Sequence, residues 1–365
     1  MTSLFDPIRL GALDLPNRIA AAPVTRSRSG RDGVPTADNA AYYAQRASAG
    51  LIVSEAVNVS PDSAAFELAP GLYSPQQVAG WTRVMEAVHA AGGKLVAQLW
   101  HSGRVSSYAL LEGRTPLAPS EVNDDLHLLQ AYGALANGQY TRIAASPARA
   151  MTSIEVYAAI AEFRLAARNA ARAGIDGVEI HAANGYLPQQ FLSPHTNRRN
   201  DEFGGSPARR LRFLELVLEA VLEEMPAGRV GVRLSPFAGY NNAPDPDVEA
   251  TYTQVARLLD AAGVAYIHAA DTNAWAGQPD MAAILRILRP NFSGAIIANG
   301  GLDAASGAQL LASGMADMVS FGRPFIANPD LVERMRRGGP YNTPDPFTFY
   351  GGDARGYLDY PALVN

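Results

Sequence analysis

The chain of 365 residues contains no cysteine, which excludes disulfides, thiolate nucleophiles, iron–sulfur ligation and thiolate zinc sites. Lysine is nearly absent as well: Lys94 is the single lysine among 30 basic residues. A Schiff-base mechanism would have to use it, and Lys94 opens an apolar run instead of closing one. The formal charge of -5 and the lack of any basic run give no electrostatic reason to expect nucleic acid. No segment approaches the roughly 20 apolar residues that span a bilayer, and the first residues show no basic stretch followed by an apolar one. The expectation is a cytoplasmic protein with neither a nucleic-acid nor a membrane partner. No motif fixes the oligomeric state, so monomer and homodimer both stay open.

What the chain does have is alternation. Short apolar runs at 18–23, 51–59, 94–100, 177–181, 230–235, 265–270, 295–298 and 318–322 read as strands buried on both faces, as in a parallel sheet. Helical patterns such as 153–173 and 207–224 lie between them, with Ser153 (ahead of Glu155) and Asp303 read as N-terminal caps. Eight strands alternating with helices predict an α/β fold, a single (β/α)8 TIM barrel over residues 1–365. The segment 5–15 reads as a hairpin covering the barrel floor, and 101–152 as an excursion over the mouth after the third strand. Trp81, inside a helical pattern, reads as packing.

Chemistry in this architecture collects at the C-terminal ends of the strands. Those ends carry Pro23 and Thr25; Ala56; Gln98 and Trp100; His181, Asn184 and Tyr186; Arg233; Trp275 after the sixth strand; Asn299-Gly300-Gly301; and Gly322-Arg323. His181 and Asn184 can donate to one substrate oxygen while Tyr186 supplies a proton. A histidine after a strand is also a common structural residue. The paired glycine turns suit a phosphate, because bare amides approach its oxygens closely, although glycine after a strand is also an ordinary turn. Arg233, at the end of a buried strand with no carboxylate beside it in sequence, needs an anionic partner. A cofactor with a phosphate and a ring that becomes anionic satisfies both.

The stretch His181-Ala182-Ala183-Asn184-Gly185-Tyr186-Leu187 with 190–194 and 197–206 resembles the Old Yellow Enzyme family of flavin-dependent ene-reductases. The likeness extends to 5–7, 17–19, 22–26, 98–104 and 321–325, and the closing 349–352 and 356–361 are similar to the branch of pentaerythritol tetranitrate, morphinone and N-ethylmaleimide reductases. The resemblance implies non-covalent FMN across the barrel mouth and NADPH or NADH as reductant. Thr25 and Gln98 would then bond the pyrimidine edge, with Pro23 and Ala56 packed close and Arg233 facing the ring that becomes anionic. Asn299, Gly300, Gly301, Gly322 and Arg323 would serve the phosphate side. Phe66, Trp100, Trp275 and Tyr350 would shape the substrate walls. The chain departs from many members at Asn184, where they have His, and at Phe66, where some have Tyr.

The implied reaction is ping-pong reduction of an alkene conjugated to a carbonyl or nitro group, with His181 and Asn184 on the oxygen and Tyr186 as acid. The same donors would take phenolic ligands as oxyanions. Reduction of nitrate esters or nitro compounds is an alternative within the family. A phosphate-binding aldolase or isomerase would need a lysine or acidic residue at a strand end. A non-catalytic flavin-binding barrel would leave Tyr186 unexplained.

Overall fold

A computed structural model describes residues 2–363. The hairpin strands β1 (Ile8–Leu10) and β2 (Leu13–Leu15) precede the barrel strands β3 (Ile19–Ala21), β4 (Leu51–Asn58) and β5 (Leu95–Trp100). Four short strands follow in the excursion: β6 (Leu117–Ala118), β7 (Ala131–Ala134), β8 (Tyr140–Ile143) and β9 (Arg149–Ala150). The barrel resumes with β10 (Gly177–Ala182), β11 (Val230–Leu234), β12 (Tyr266–Ala270), β13 (Ala295–Asn299) and β14 (Met318–Phe321). The eight barrel strands are parallel and close on themselves, β14 pairing with β3. Each coincides with one of the eight expected runs, to within two residues at either end.

Helices fill the intervals where apolar residues recur at helical spacing. The helix Ser153–Arg172 buries Val156, Ala159, Ile160, Phe163, Ala166, Ala167 and Ala170 on one side. Its cap differs by one residue from the expected Ser153. Thr152 accepts the Glu155 amide at 3.2 Å while Glu155 accepts the Thr152 amide at 2.8 Å, and this reciprocal pairing satisfies more of the helix end than a lone serine one position later could. Asp303 does cap Ala304–Ala312. Trp81 is buried, with its indole N–H on the Gly71 carbonyl.

Strand alternation puts two different layers inside the barrel. The lower one is apolar: Ala20, Leu51, Val53, Val96, Tyr266, Ile297 and Met318 pack together, and Leu10, Leu13 and Leu15 of the hairpin close them from below. Gly231 has to be glycine here, because a Cβ would lie 2.1 Å from the Tyr266 ring. Two residues further along the same strands the inward positions turn polar, with Gln98, Glu179, Arg233, His268 and Ser320 all buried. The barrel interior is thus an apolar floor under a polar layer.

Above that layer sits the excursion. The antiparallel β7–β8 hairpin is tied down by the Tyr132 amide on the Ala65 carbonyl at 2.9 Å. Arg104, wholly buried, grips Asp125 with both terminal nitrogens (2.8 and 2.5 Å) and donates to the Val122 carbonyl at 2.8 Å. The C-terminal segment is held by two more arginines. Arg26 donates to the carbonyls of Phe349 (2.9 Å), Thr348 (3.1 Å) and Gly356 (2.8 Å), and Arg28 to those of Thr348 (2.9 Å) and Asp353 (3.0 Å). Both guanidinium groups lie over the Tyr357 ring, which stacks on Tyr42 at 4.3 Å.

Removing one partner of a buried ion pair leaves an uncompensated charge. Arg104→Ala should cost about 3 kcal/mol, the low end of the range because Asp125 keeps some solvent contact. Burial raises the Asp125 carboxyl, but Arg104 and Asn242 outweigh it and hold the group below its ordinary value. Its stabilisation is therefore present above the unfolded value of about 3.9 and is lost as the pH falls through the lower folded value. Urea unfolding at neutral pH and down to pH 3 checks this; a loss under about 1 kcal/mol, or an undiminished acid dependence in the variant, contradicts the role.

Candidate active site

The polar layer is one hydrogen-bonded chain. Glu179, with no solvent exposure, accepts from Gln98 Nε2 at 2.7 Å through one oxygen and contacts His268 Nδ1 at 2.8 Å through the other. His268 Nε2 lies 2.8 Å from both Arg233 Nη1 and the Ser320 hydroxyl. Arg233 Nη2 donates to Asn299 Oδ1 at 2.8 Å. Burial pulls the guanidinium down to about 10, which leaves it cationic at neutral pH. Arg233 thus has a carboxylate after all. Sequence neighbours could not reveal it, because Glu179 belongs to β10 and reaches Arg233 only through the His268 of β12.

At the mouth, β10 delivers His181 and then turns sharply. Asn184 and Gly185 take left-handed backbone conformations (φ 59° and 72°), a shape asparagine and glycine tolerate best. Four bonds lock the turn: the Asn184 amide to the Ser235 hydroxyl (2.8 Å), Asn241 Nδ2 to the Asn184 carbonyl (2.9 Å), and the Gly185 amide and carbonyl to Gln189 (2.8 Å) and Gln190 (2.7 Å). The Ala183 amide donates to His181 Nδ1 at 3.3 Å, so the ring proton sits on Nε2. Burial, with Arg233 adding to it, drops His181 to about 3, and the ring is neutral at pH 7. Tyr186 is edge-on to both His181 (4.9 Å) and Trp100 (5.1 Å), and burial pushes its phenol well above the ordinary value.

An aromatic wall surrounds Tyr186. Ala56, Phe66, Trp100 and Tyr186 share one apolar cluster, with Tyr132, Tyr140 and Tyr350 packed against it. Phe66 stacks on Tyr132 at 4.8 Å and touches Tyr350 at 5.5 Å. Trp275 stands apart from this cluster, half exposed, with its ring edge-on to Tyr240 at 4.8 Å. The structure adds residues that sequence reasoning misses: Tyr132 and Tyr140 in the excursion, Tyr240 and Asn241 after β11, and Glu179, His268 and Ser320 in the barrel. The available signal is register: Glu179 lies two residues before His181, on the same inward face.

The residues expected to hold a flavin meet around this mouth from different elements. Arg233 Nε, Trp100 Nε1 and Asn184 Oδ1 are buried polar atoms without a protein partner, and such atoms suit a ligand. Pro23 and Thr25 follow β3 and are half-buried. Gly300, at φ 149°, passes so close to Asp271 that a Cβ would lie 2.8 Å from its carbonyl oxygen. Next to it Gly301 is exposed, and Gly322 opens the turn Arg323–Ala327 without any side-chain cap. Arg323 is exposed beside them. Asn299, expected on the phosphate side, has its side-chain amide bonded to Arg233 and to the Ser320 carbonyl (3.0 Å). These groups fit a flavin nucleotide: amides at one end, a buried cation and a buried carboxamide at the other.

A cavity of about 440 Å³ lies elsewhere, between the helix Ser153–Arg172 and the excursion. Its arginines are already paired, Arg114 with Asp62 and Arg149 with Glu155. Among the described residues no helix is long and apolar enough to cross a membrane.

Residues 3–342 match the family described as NADH:flavin oxidoreductase / NADH oxidase. Putative 12-oxophytodienoate reductase 11 of Oryza sativa subsp. japonica is 38% identical over 99% of this chain and 97% of its own length. Morphinone reductase, solved in complex with tetrahydroNAD, is 44% identical with a TM-score of 0.94, covering 100% of this chain and 99% of that one. The Old Yellow Enzyme homologue of Zymomonas mobilis is 38% identical with a TM-score of 0.90, covering 99% of this chain and 100% of that one. The barrel, its polar layer and these full-length similarities agree: the chain belongs to the NADH:flavin oxidoreductase family of Old Yellow Enzyme and is an FMN-dependent NAD(P)H oxidoreductase.

Proposed function

We propose that the protein is an ene-reductase acting by a ping-pong mechanism on alkenes conjugated to a carbonyl or nitro group, and that a single pocket at the barrel mouth receives nicotinamide and alkene in turn. The observation that carries this reading is the neutral trio at the end of β10: two hydrogen-bond donors and a buried phenol. Thr25, Gln98 and Arg233 would hold FMN at one end and amides near Gly301 and Gly322 at the other, and the bound cofactor would supply the hydride. His181 donates from Nε2 to the substrate oxygen. The Asn184 carboxamide, its Oδ1 uncommitted within the protein, turns its NH2 to the same oxygen. Together they stabilise the negative charge that grows there as the β-carbon is reduced. Tyr186 protonates the α-carbon. The Phe66, Trp100 and Tyr350 walls exclude water from that step. Names of similar proteins, reductases of oxophytodienoate and morphinone, agree with an α,β-unsaturated ketone as substrate.

Tyr186→Phe should slow flavin reoxidation by 2-cyclohexenone about 100 to 10,000-fold, the usual contribution of a general acid, and leave flavin reduction by NAD(P)H nearly unchanged. Stopped-flow measurement of the two half-reactions decides it, and an unaltered reoxidation rate removes Tyr186 from the role.

His181 takes up a second ring proton only near about pH 3, and burial holds the Tyr186 phenol protonated above its usual range. The wild-type reoxidation rate should therefore be flat from about pH 5 to 9, either side of the ordinary histidine value of about 6.5. An inflection near that value would mean that His181 is cationic in the working enzyme.

Simple phenols should bind as oxyanions on His181 and Asn184 and stack on the oxidised flavin, giving a broad long-wavelength band. Titration with 4-methoxyphenol and 4-hydroxybenzaldehyde tests this. The donor-rich phenol should absorb at lower energy, and the double change His181→Ala, Asn184→Ala should abolish the band. Tight binding with no band would contradict the pocket.

A further inference from the structure

We infer that Glu179 is the positioning residue of the flavin site, fixing through direct and relayed hydrogen bonds which atoms Gln98 and Arg233 present to the cofactor and supplying the charge that limits stabilisation of the reduced flavin. This rests on the proposed placement of the flavin over Gln98 and Arg233. A carboxylate only accepts hydrogen bonds. The group of Gln98 that faces Glu179 at 2.7 Å is therefore its NH2, which leaves Oε1 as the atom toward the mouth. The pyrimidine edge of a flavin runs acceptor, donor, acceptor, so a presented acceptor matches only its central N3–H. Without Glu179 the amide is free to turn over.

The second arm passes through His268. Arg233 Nη1 lies 2.8 Å from His268 Nε2 and 3.1 Å from Nδ1; because Nδ1 faces the Glu179 carboxylate, which only accepts, the lone pair of the neutral ring falls on Nε2, where the guanidinium and the Ser320 hydroxyl donate. The ring proton then sits on Nδ1 and donates to Glu179 at 2.8 Å. A protonated His268 would set two cations against each other. Among the described residues Glu179 and Arg233 form no direct ion pair; the imidazole separates them. Arg233 thereby keeps Nη2 on Asn299 and leaves Nε without a protein partner, while Glu179 balances its charge through the shared imidazole. This balance works against the anionic reduced flavin, because the field of Arg233 at the mouth is partly cancelled from behind.

Removing the charge should shift the flavin reduction equilibrium toward the reduced form. In the FMN-loaded holoenzyme, Glu179→Gln should raise the two-electron midpoint at least tenfold in equilibrium constant, about 30 mV, measured by spectroelectrochemistry under anaerobic conditions. The carboxamide introduced by this change can also donate to Gln98 and turn the NH2 of Gln98 to the mouth, which pushes the same way. Glu179→Asp keeps the charge, and His268→Asn keeps a donor for Glu179 and an acceptor for Arg233; both should stay within about threefold of wild type, less than half of that shift on the same logarithmic scale. Should Glu179→Gln not fold, Glu179→Met removes the same charge with no new hydrogen-bond demand and reads the same shift. An unmoved potential in an FMN-replete Glu179→Gln or Glu179→Met protein, or equal shifts in the Asp and Asn variants, overturns the assignment. Wild-type protein without FMN would instead overturn the flavin placement, which keeps the two failures apart.

Discussion

A buried carboxylate and a buried guanidinium face each other across this barrel with an imidazole between them, and the layout of the mouth follows from that spacing. One end group can only accept and the other can only donate, so the link must do both. Histidine is the side chain that does so, with one ring nitrogen for each role. Its proton position is thereby dictated from both sides, with Ser320 completing the set. The apolar floor beneath, closed by Leu10, Leu13 and Leu15, keeps this layer in a medium of low dielectric, where such bonds are strong and an unmatched group is costly.

The site divides its work between charge and neutrality. Arg233 is the cation that the layer turns toward the mouth, whereas His181, Asn184 and Tyr186 above it are all uncharged at neutral pH. Neutral donors bind a carbonyl oxygen without first demanding an anion, and respond as charge develops there. His181 is kept neutral mainly by burial and secondarily by Arg233 itself, so the same cation that suits a reduced ring also suppresses a second positive charge on the neighbouring strand.

The fold is legible in the sequence because all eight barrel strands are buried on both faces, and burial on both faces writes itself as a short continuous apolar run. The trio at the end of β10 is legible for a related reason: polar residues stop such a run abruptly. Glu179 and His268 escape because each is a lone polar residue inside a run, and they lie 89 positions apart; only the closed sheet brings them into contact. Tyr132 and Tyr140 escape for a different cause. They belong to a hairpin of four-residue strands within a long irregular excursion, where no period announces which face is inward. Trp275 is marked in the sequence by its place after the sixth strand, but the loop carries it outward to Tyr240. The Thr152 cap shows the finest grain of the problem, since Thr152 and Ser153 are both good capping residues and only the return bond from Glu155 distinguishes them.

The arginines that hold the C-terminal segment grip it by its backbone. Arg26 and Arg28 donate to the carbonyls of residues 348, 349, 353 and 356, and a carbonyl is the same whatever side chain hangs from it. The anchorage therefore makes no demand on the side chain at 350, whereas the next residue is restricted to glycine, a Cβ at Gly351 lying 2.7 Å from the Tyr140 ring. Position 350, whose tyrosine forms part of the mouth, can change its size or polarity without loosening the strap that carries it. The barrel thus keeps its polar layer on strands and mounts this part of the mouth on a separate strap, so that on the proposed reading a change at position 350 alters the wall while leaving the layer beneath untouched.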